Sequence, residues 1–159
     1  MASPVLRSML NLKESKVHSC SGHRKAISIR GVPSEAVQIF IRFLYSSCYE
    51  EDKMQEHAVS VLVLSHAYAI PHLKRECEWQ LVEQGLITRE NVLDIFQLAL
   101  LYDAPRLSLF CHRFVLKHFK AISGTDGWEA MKQSHPILDK QILKSVIDED
   151  IVSRIVKSF

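Results

Sequence analysis

Glycine and proline are scarce in this sequence, five of each among 159 residues. That scarcity excludes collagen-like chains, linkers and most turn-dense all-β architectures. Excess charge is small as well: 20 Lys+Arg against 18 Asp+Glu leave a net +2, too little for a protein built mainly to hold nucleic acid. Long apolar runs are missing. The stretch Ala58 to Leu64 is broken by Ser60 and is far too short to span a bilayer. The start, Met1 to Asn11, carries Arg7 at its middle and does not resemble a signal peptide. The four cysteines (Cys20, Cys48, Cys77 and Cys111) are spaced 28, 29 and 34 residues apart with no C-x-x-C pair. A soluble, intracellular chain with reduced thiols and no membrane segment is expected.

Catalytic signatures are missing too. There is no G-x-S-x-G, no phosphate-cradling G-x-x-x-x-G-K, no H-E-x-x-H and no dinucleotide glycine fingerprint. Carboxylates cluster only at 50–52 and 148–150, without a partnered base. Cys111 and His112 are neighbours, but neighbours on a helix point about 100° apart. Cys48, Cys77 and Cys111 therefore read as small core residues. His18, Cys20 and His23 form H-x-C-x-x-H, which supplies three of the four ligands a structural zinc requires. The reading preferred for it is an exposed loop, with no metal and no other cofactor. His66, His112 and His118 read as packed or solvated. Trp79 and Trp128 are candidate binding aromatics, and Trp128, after a glycine-rich break, reads as an anchor for the last helices. The chain is not expected to be an enzyme.

What is present is an ordinary globular mix, 47% hydrophobic and 24% charged. The charge is uneven. Residues 1–30 hold Arg7, Lys13, Lys16, Arg24, Lys25 and Arg30 against Glu14, for +5, which leaves −3 on the rest. The basic head reads as a solvated loop, with nucleic acid an unlikely partner. Ser3-Pro4 opens a short helix to Leu10, with Ser3 as its cap. Residues 11–24 are polar and aperiodic, a loop. Ala26 to Arg30 alternate like a strand, stopped by Gly31 and Pro33, and a lone strand needs a pairing partner.

From Ser34 onward the periodicity is helical. Val37, Phe40, Ile41, Leu44, Tyr45 and Cys48 form one stripe. Residues 55–69 are apolar nearly all round, as in a buried central helix. Pro71 starts a helix that Gly85 stops, Thr88 caps the next, and Pro105 starts another. Gly124 to Gly127 break the chain. Two amphipathic segments, 136–147 and 151–159, flank the acidic Asp148-Glu149-Asp150. Tyr68, Pro71, Leu73 and Cys77 recur 34 residues later as Tyr102, Pro105, Leu107 and Cys111. Two stacked helical hairpins account for this echo more economically than a tetratricopeptide array. Lys140 to Phe159 could serve as a calmodulin target or membrane-surface helix, but the acids at its middle favour a capping helix.

The order of segments resembles a known family. Ala2 to Leu10 (ASPVLRSML) is similar to the helix midway through a BTB/POZ domain. Lys25 to Pro33, then Phe43-Leu44-Tyr45, resembles that domain's later strand and following helix, and His66-Ala67-Tyr68 with Leu73 its closing helices. Asn91 to Phe119 resembles the helical extension called BACK. Trp128-Glu129-Ala130-Met131 with Ser134-His135-Pro136 resembles the plant BTB-and-TAZ-domain proteins. The resemblance covers roughly residues 2–147 and implies a mainly α chain. It comprises the C-terminal part of a BTB/POZ α/β domain (1–84), a BACK-like bundle of antiparallel hairpins (85–147) and a tail or helix (148–159).

Measured against that family, strands expected ahead of residue 2 and a C-terminal zinc-binding TAZ module are missing, as in a truncated member. Dimerisation, zinc binding and TAZ-borne contacts are thereby left in doubt. The resemblance implies a substrate adaptor of a cullin-3 ubiquitin ligase, acting in nucleus and cytoplasm. Implied partners are cullin-3 and a recruited protein substrate, with calmodulin and transcriptional coregulators by analogy. Leu12-Lys13-Glu14 fits the hydrophobic–x–Glu pattern of cullin-3-binding loops, and Tyr68 would extend the patch. A two-repeat α-solenoid that binds peptides, or a calmodulin-responsive regulator without a ligase role, is the alternative.

Overall fold

The computed structural model describes residues 3–12 and 28–157. Among these residues all regular structure is helical: α1 (Pro4–Leu12), α2 (Ser34–Ser46), α3 (Glu51–Ala67), α4 (Pro71–Glu83), α5 (Val92–Leu101), α6 (Pro105–Lys117), α7 (Phe119–Ile122), α8 (Asp126–Ser134) and α9 (Pro136–Lys157). The chain divides into two compact units, Met1–Leu86 and Ile87–Phe159.

In the first unit α3 packs on both α2 and α4. Met54, Ala58, Val61, Leu62 and Leu64 of α3 are all buried, as its all-round apolar sequence requires. α4 turns Leu73, Cys77 and Leu81 inward at four-residue spacing. α2 departs from expectation. Its buried residues are Ala36, Ile39 and Phe40, whereas Ile41 is 44% and Tyr45 89% exposed, and Cys48 beyond the helix is exposed. Apolar residues cover most of this helix, and only the face opposed to α3 can be buried. The strand read at 26–30 is corrected as well: Ser28 to Arg30 have no regular structure, and Ala26 and Ile27 lie outside the described residues. No other strand among the described residues could supply its ladder bonds. α1 runs to Leu12, two residues into the segment read as loop.

One turn geometry occurs twice. After α3, Ala69 adopts φ 51°, its N–H donates to the His66 carbonyl at 3.1 Å, and the Ile70 N–H donates to the Ser65 carbonyl at 2.8 Å. After α5, Asp103 adopts φ 50°, its N–H reaches the Leu100 carbonyl at 3.3 Å, and the Ala104 N–H the Ala99 carbonyl at 2.8 Å. Both are Schellman caps, which satisfy carbonyls left over at a helix end. Both lead straight into a proline, Pro71 or Pro105, at the first turn of the next helix, where its missing N–H costs nothing. The 34-residue echo is thus a repeated turn, one copy in each unit.

In the second unit α5 and α6 form the hairpin, with α8 against α5 and α9 against both α6 and α8. α5 starts at Val92, after Asn91, later than the Thr88 cap that the sequence suggested; Thr88 instead donates its N–H to Asn91 Oδ1 at 2.7 Å. Thr125 caps α8 by accepting the Trp128 N–H at 3.3 Å, so Gly127 lies inside the helix rather than in a break. Trp128 is buried, edge-on to Phe119 with ring centres 5.4 Å apart. α9 passes through Asp148-Glu149-Asp150 without interruption. That run holds neither glycine nor proline, so nothing in it breaks a helix.

Ala69 carries a Cβ in the left-handed region, which disfavours every side chain and alanine more than aspartate. Ala69→Gly should therefore raise stability by up to about 1 kcal/mol in urea denaturation, and Asp103→Gly by less.

Candidate protein-docking site

The first unit carries a groove of about 610 Å³. One wall is the start of α1, Ser3 and Pro4; the second is the end of α2, Phe43, Leu44 and Ser47; the third is the turn from Ala69 to His72. The sequence places these walls through one residue. Ser3 is buried; its hydroxyl donates to the Tyr68 carbonyl and accepts the Leu6 N–H at 3.2 Å. One side chain thereby caps α1 and fastens it to the α3–α4 turn. The groove is walled mostly by carbon and suits an apolar side chain or small apolar ligand.

Beside it α2 turns apolar residues to solvent. Tyr45, next in sequence to Leu44, is 89% exposed, and Ile41, one helical turn back, 44%. Exposed tyrosine flanked by aliphatic carbon is the composition of protein-interface hot spots. Sequence reasoning placed both residues on one apolar stripe with buried Phe40. The available signal was the excess itself: α2 has more apolar positions than one face can hold.

The residues expected to contact a partner fare differently. Leu12 is the last residue of α1 rather than part of a loop. Lys13 and Glu14 lie outside the described residues, as do His18, Cys20 and His23. Tyr68 is only 8% exposed, its ring 5.2 Å from that of Phe40. It bears on the groove through its carbonyl and the turn it begins, and its ring belongs to the core.

No three His, Cys, Asp or Glu side chains among the described residues come together as a metal site would need. Burial pushes the Cys77 thiol far up, and the Cys111 thiol up to about 12, which disfavours the thiolate at both. A polar cluster joins the end of α2 to α4. The Tyr49 hydroxyl donates to Glu76 and accepts from Gln80 Nε2 at 3.3 Å. Burial, then the Glu76 bond, raises the Tyr49 hydroxyl to about 12. Gln80 is fully buried, and its Oε1 has no partner among the described residues. On the surface Glu50 pairs with Lys53 at 2.7 Å and with Arg42, and these cations hold its carboxyl below the usual range.

Two outcomes test this geometry. Ser3→Ala removes a helix cap and a buried hydrogen bond, and should cost about 1–2 kcal/mol while speeding amide exchange in α1. A thiol reagent applied to the folded chain should modify Cys48, and reach Cys77 and Cys111 only after unfolding, as mass spectrometry of peptides would show.

Comparison with known proteins gives the family. The family model for the BTB/POZ domain matches residues 1–85. BTB/POZ and TAZ domain-containing protein 5 of Arabidopsis thaliana is 55% identical over 149 residues, 94% of this chain and 39% of that protein. BTB/POZ and TAZ domain-containing protein 4 of the same plant is 57% identical over 148 residues, 93% of this chain and 38% of that protein. BTB and MATH domain-containing protein 42 of Caenorhabditis elegans is 27% identical over 158 residues, covering 96% and 37%. The chain thus spans about 40% of the length of these curated relatives. BTB/POZ domains are generally non-catalytic modules for protein interaction. With residues 1–85 matched and plant relatives alike over nearly its whole length, this chain belongs to the BTB/POZ domain family.

Proposed function

We propose that this chain is a non-enzymatic adaptor that links a cullin-3 ubiquitin-ligase scaffold to a protein substrate, in nucleus and cytoplasm. The observation that carries the reading is the apolar surface of the first unit, Tyr45 and Ile41 exposed beside a carbon-walled groove, within the residues that match the BTB/POZ domain. BTB domains are often cullin-3 adaptors. The hydrophobic–x–Glu sequence Leu12-Lys13-Glu14 begins at the end of α1, the helix whose other end walls the groove. On this reading residues 1–84 carry the cullin contact, and residues 85–147, BACK-like, support the substrate-recruiting side.

An adaptor contributes no bond-making group. It raises the effective concentration of one protein near another, and the chemistry belongs to the ligase. The physics required is a rigid platform bearing a few large side chains that exclude water on contact. Calmodulin and transcriptional coregulators remain partners by analogy with the BTB-and-TAZ relatives.

The test is a pull-down of the chain with the N-terminal domain of cullin-3. The unaltered chain should be retained. Leu12→Asp should abolish retention, and Tyr45→Ala should weaken it about tenfold or more, with far-UV circular dichroism unchanged in both. Equal retention of all three chains would remove the proposed interface.

A further inference from the structure

α9 has 22 residues, yet among those from Pro136 to Asp150 the buried side chains are Leu138, Asp139 and Ile142, all near its beginning. Beside that buried face Leu143 is 38% and Ile147 58% exposed. From Ile147 through Asp150 every side chain is exposed. A helical stretch without tertiary packing is marginal in water, and an apolar stripe along it favours a covering partner.

The sequence of this face points to what covers it. Lys140, Leu143, Ile147 and Asp150 follow each other at steps of three, four and three, the spacing of a coiled-coil seam. All four are exposed. They are also symmetric about Ser145: Leu143 and Ile147 lie two residues to either side, Lys140 and Asp150 five. In an antiparallel pair of identical helices centred there, Leu143 meets Ile147 of the other copy, and Lys140 meets its Asp150, each contact occurring twice. A single register satisfies the apolar and the charged pairs together, which is the self-complementarity of an isologous two-fold contact.

We propose that α9 is a homodimerisation helix, pairing antiparallel with α9 of a second copy in this register. The apolar pairs supply the attraction and the ion pairs fix register and direction. With so few residues committed the dimer is weak and concentration-dependent. It would join two docking surfaces in one particle and so favour partners that are themselves multivalent. The proposal is independent of which partner the first unit takes.

Sedimentation equilibrium of the full chain across a concentration series tests it. The mass should rise from 18.2 kDa toward twice that value. Lys140→Asp or Asp150→Lys alone should weaken association about tenfold, and the two together should restore it. Leu143→Asp with Ile147→Asp should leave a monomer; all of these positions face solvent, so circular dichroism should not change. A chain that stays monomeric at every concentration, leaving the face to a different protein, overturns the proposal. So does a dimer indifferent to these substitutions, or single reversals that the double variant fails to rescue.

Discussion

The first unit depends on the four residues from Tyr68 to Pro71. A helix as apolar as α3 can be buried only if the chain reverses at once and lays α4 against it. The reversal requires one residue in the left-handed region, and Ala69 accepts that conformation despite its Cβ. The capping bonds settle the carbonyls at the end of α3, and Pro71 sets the first turn of α4. Tyr68 then points its ring inward to Phe40 and leaves its carbonyl for the Ser3 hydroxyl. Helix reversal, core packing and the position of α1 all follow from this turn. Surface ion pairs such as Glu50 with Lys53 are screened by water and contribute little beside it.

Much of this could be read directly from the residues. Pro71 and Pro105 mark helix starts because proline sacrifices nothing there, and Gly85, with φ 65°, ends α4 because a left-handed residue is needed. The periodicity of α3 and α4 gave their buried faces, and Cys77, Cys111 and Trp128 are inside as their types suggest. The misreadings share a cause. Which side of α2 is inward is decided by what lies against it, and apolar residues on both sides leave the pattern undecided. The alternation at 26–30 was a local preference that needs a neighbouring strand to become structure. The acidic run in α9 was taken for a break on charge alone, although charge without glycine or proline does not end a helix. Leu12 and Tyr68 were expected to contact a partner on their position in the chain alone, and only packing separates a buried ring such as Tyr68 from an exposed one such as Tyr45.

The two units show how differently one turn can be employed. In the first, the turn forms a groove wall and its tyrosine is buried; in the second, Tyr102 is partly exposed, and the following helix carries Leu109 at 51% exposure. The shared backbone geometry sets direction alone. Side chains around it decide what each hairpin lines: the second borders a smaller concavity of about 360 Å³ that includes Leu100, Leu109 and His112, so the repeat conveys architecture without conveying a repeated role.

The amide oxygen of Gln80, buried in α4 without a partner among the described residues, carries an energetic cost. A carbonyl held away from water without a donor penalises the closed state by about 1–3 kcal/mol, and regains a hydrogen bond as soon as solvent enters. That cost falls inside the unit, beside the tyrosine whose hydroxyl accepts from the Gln80 amide nitrogen, and the apolar core around α4 must offset it.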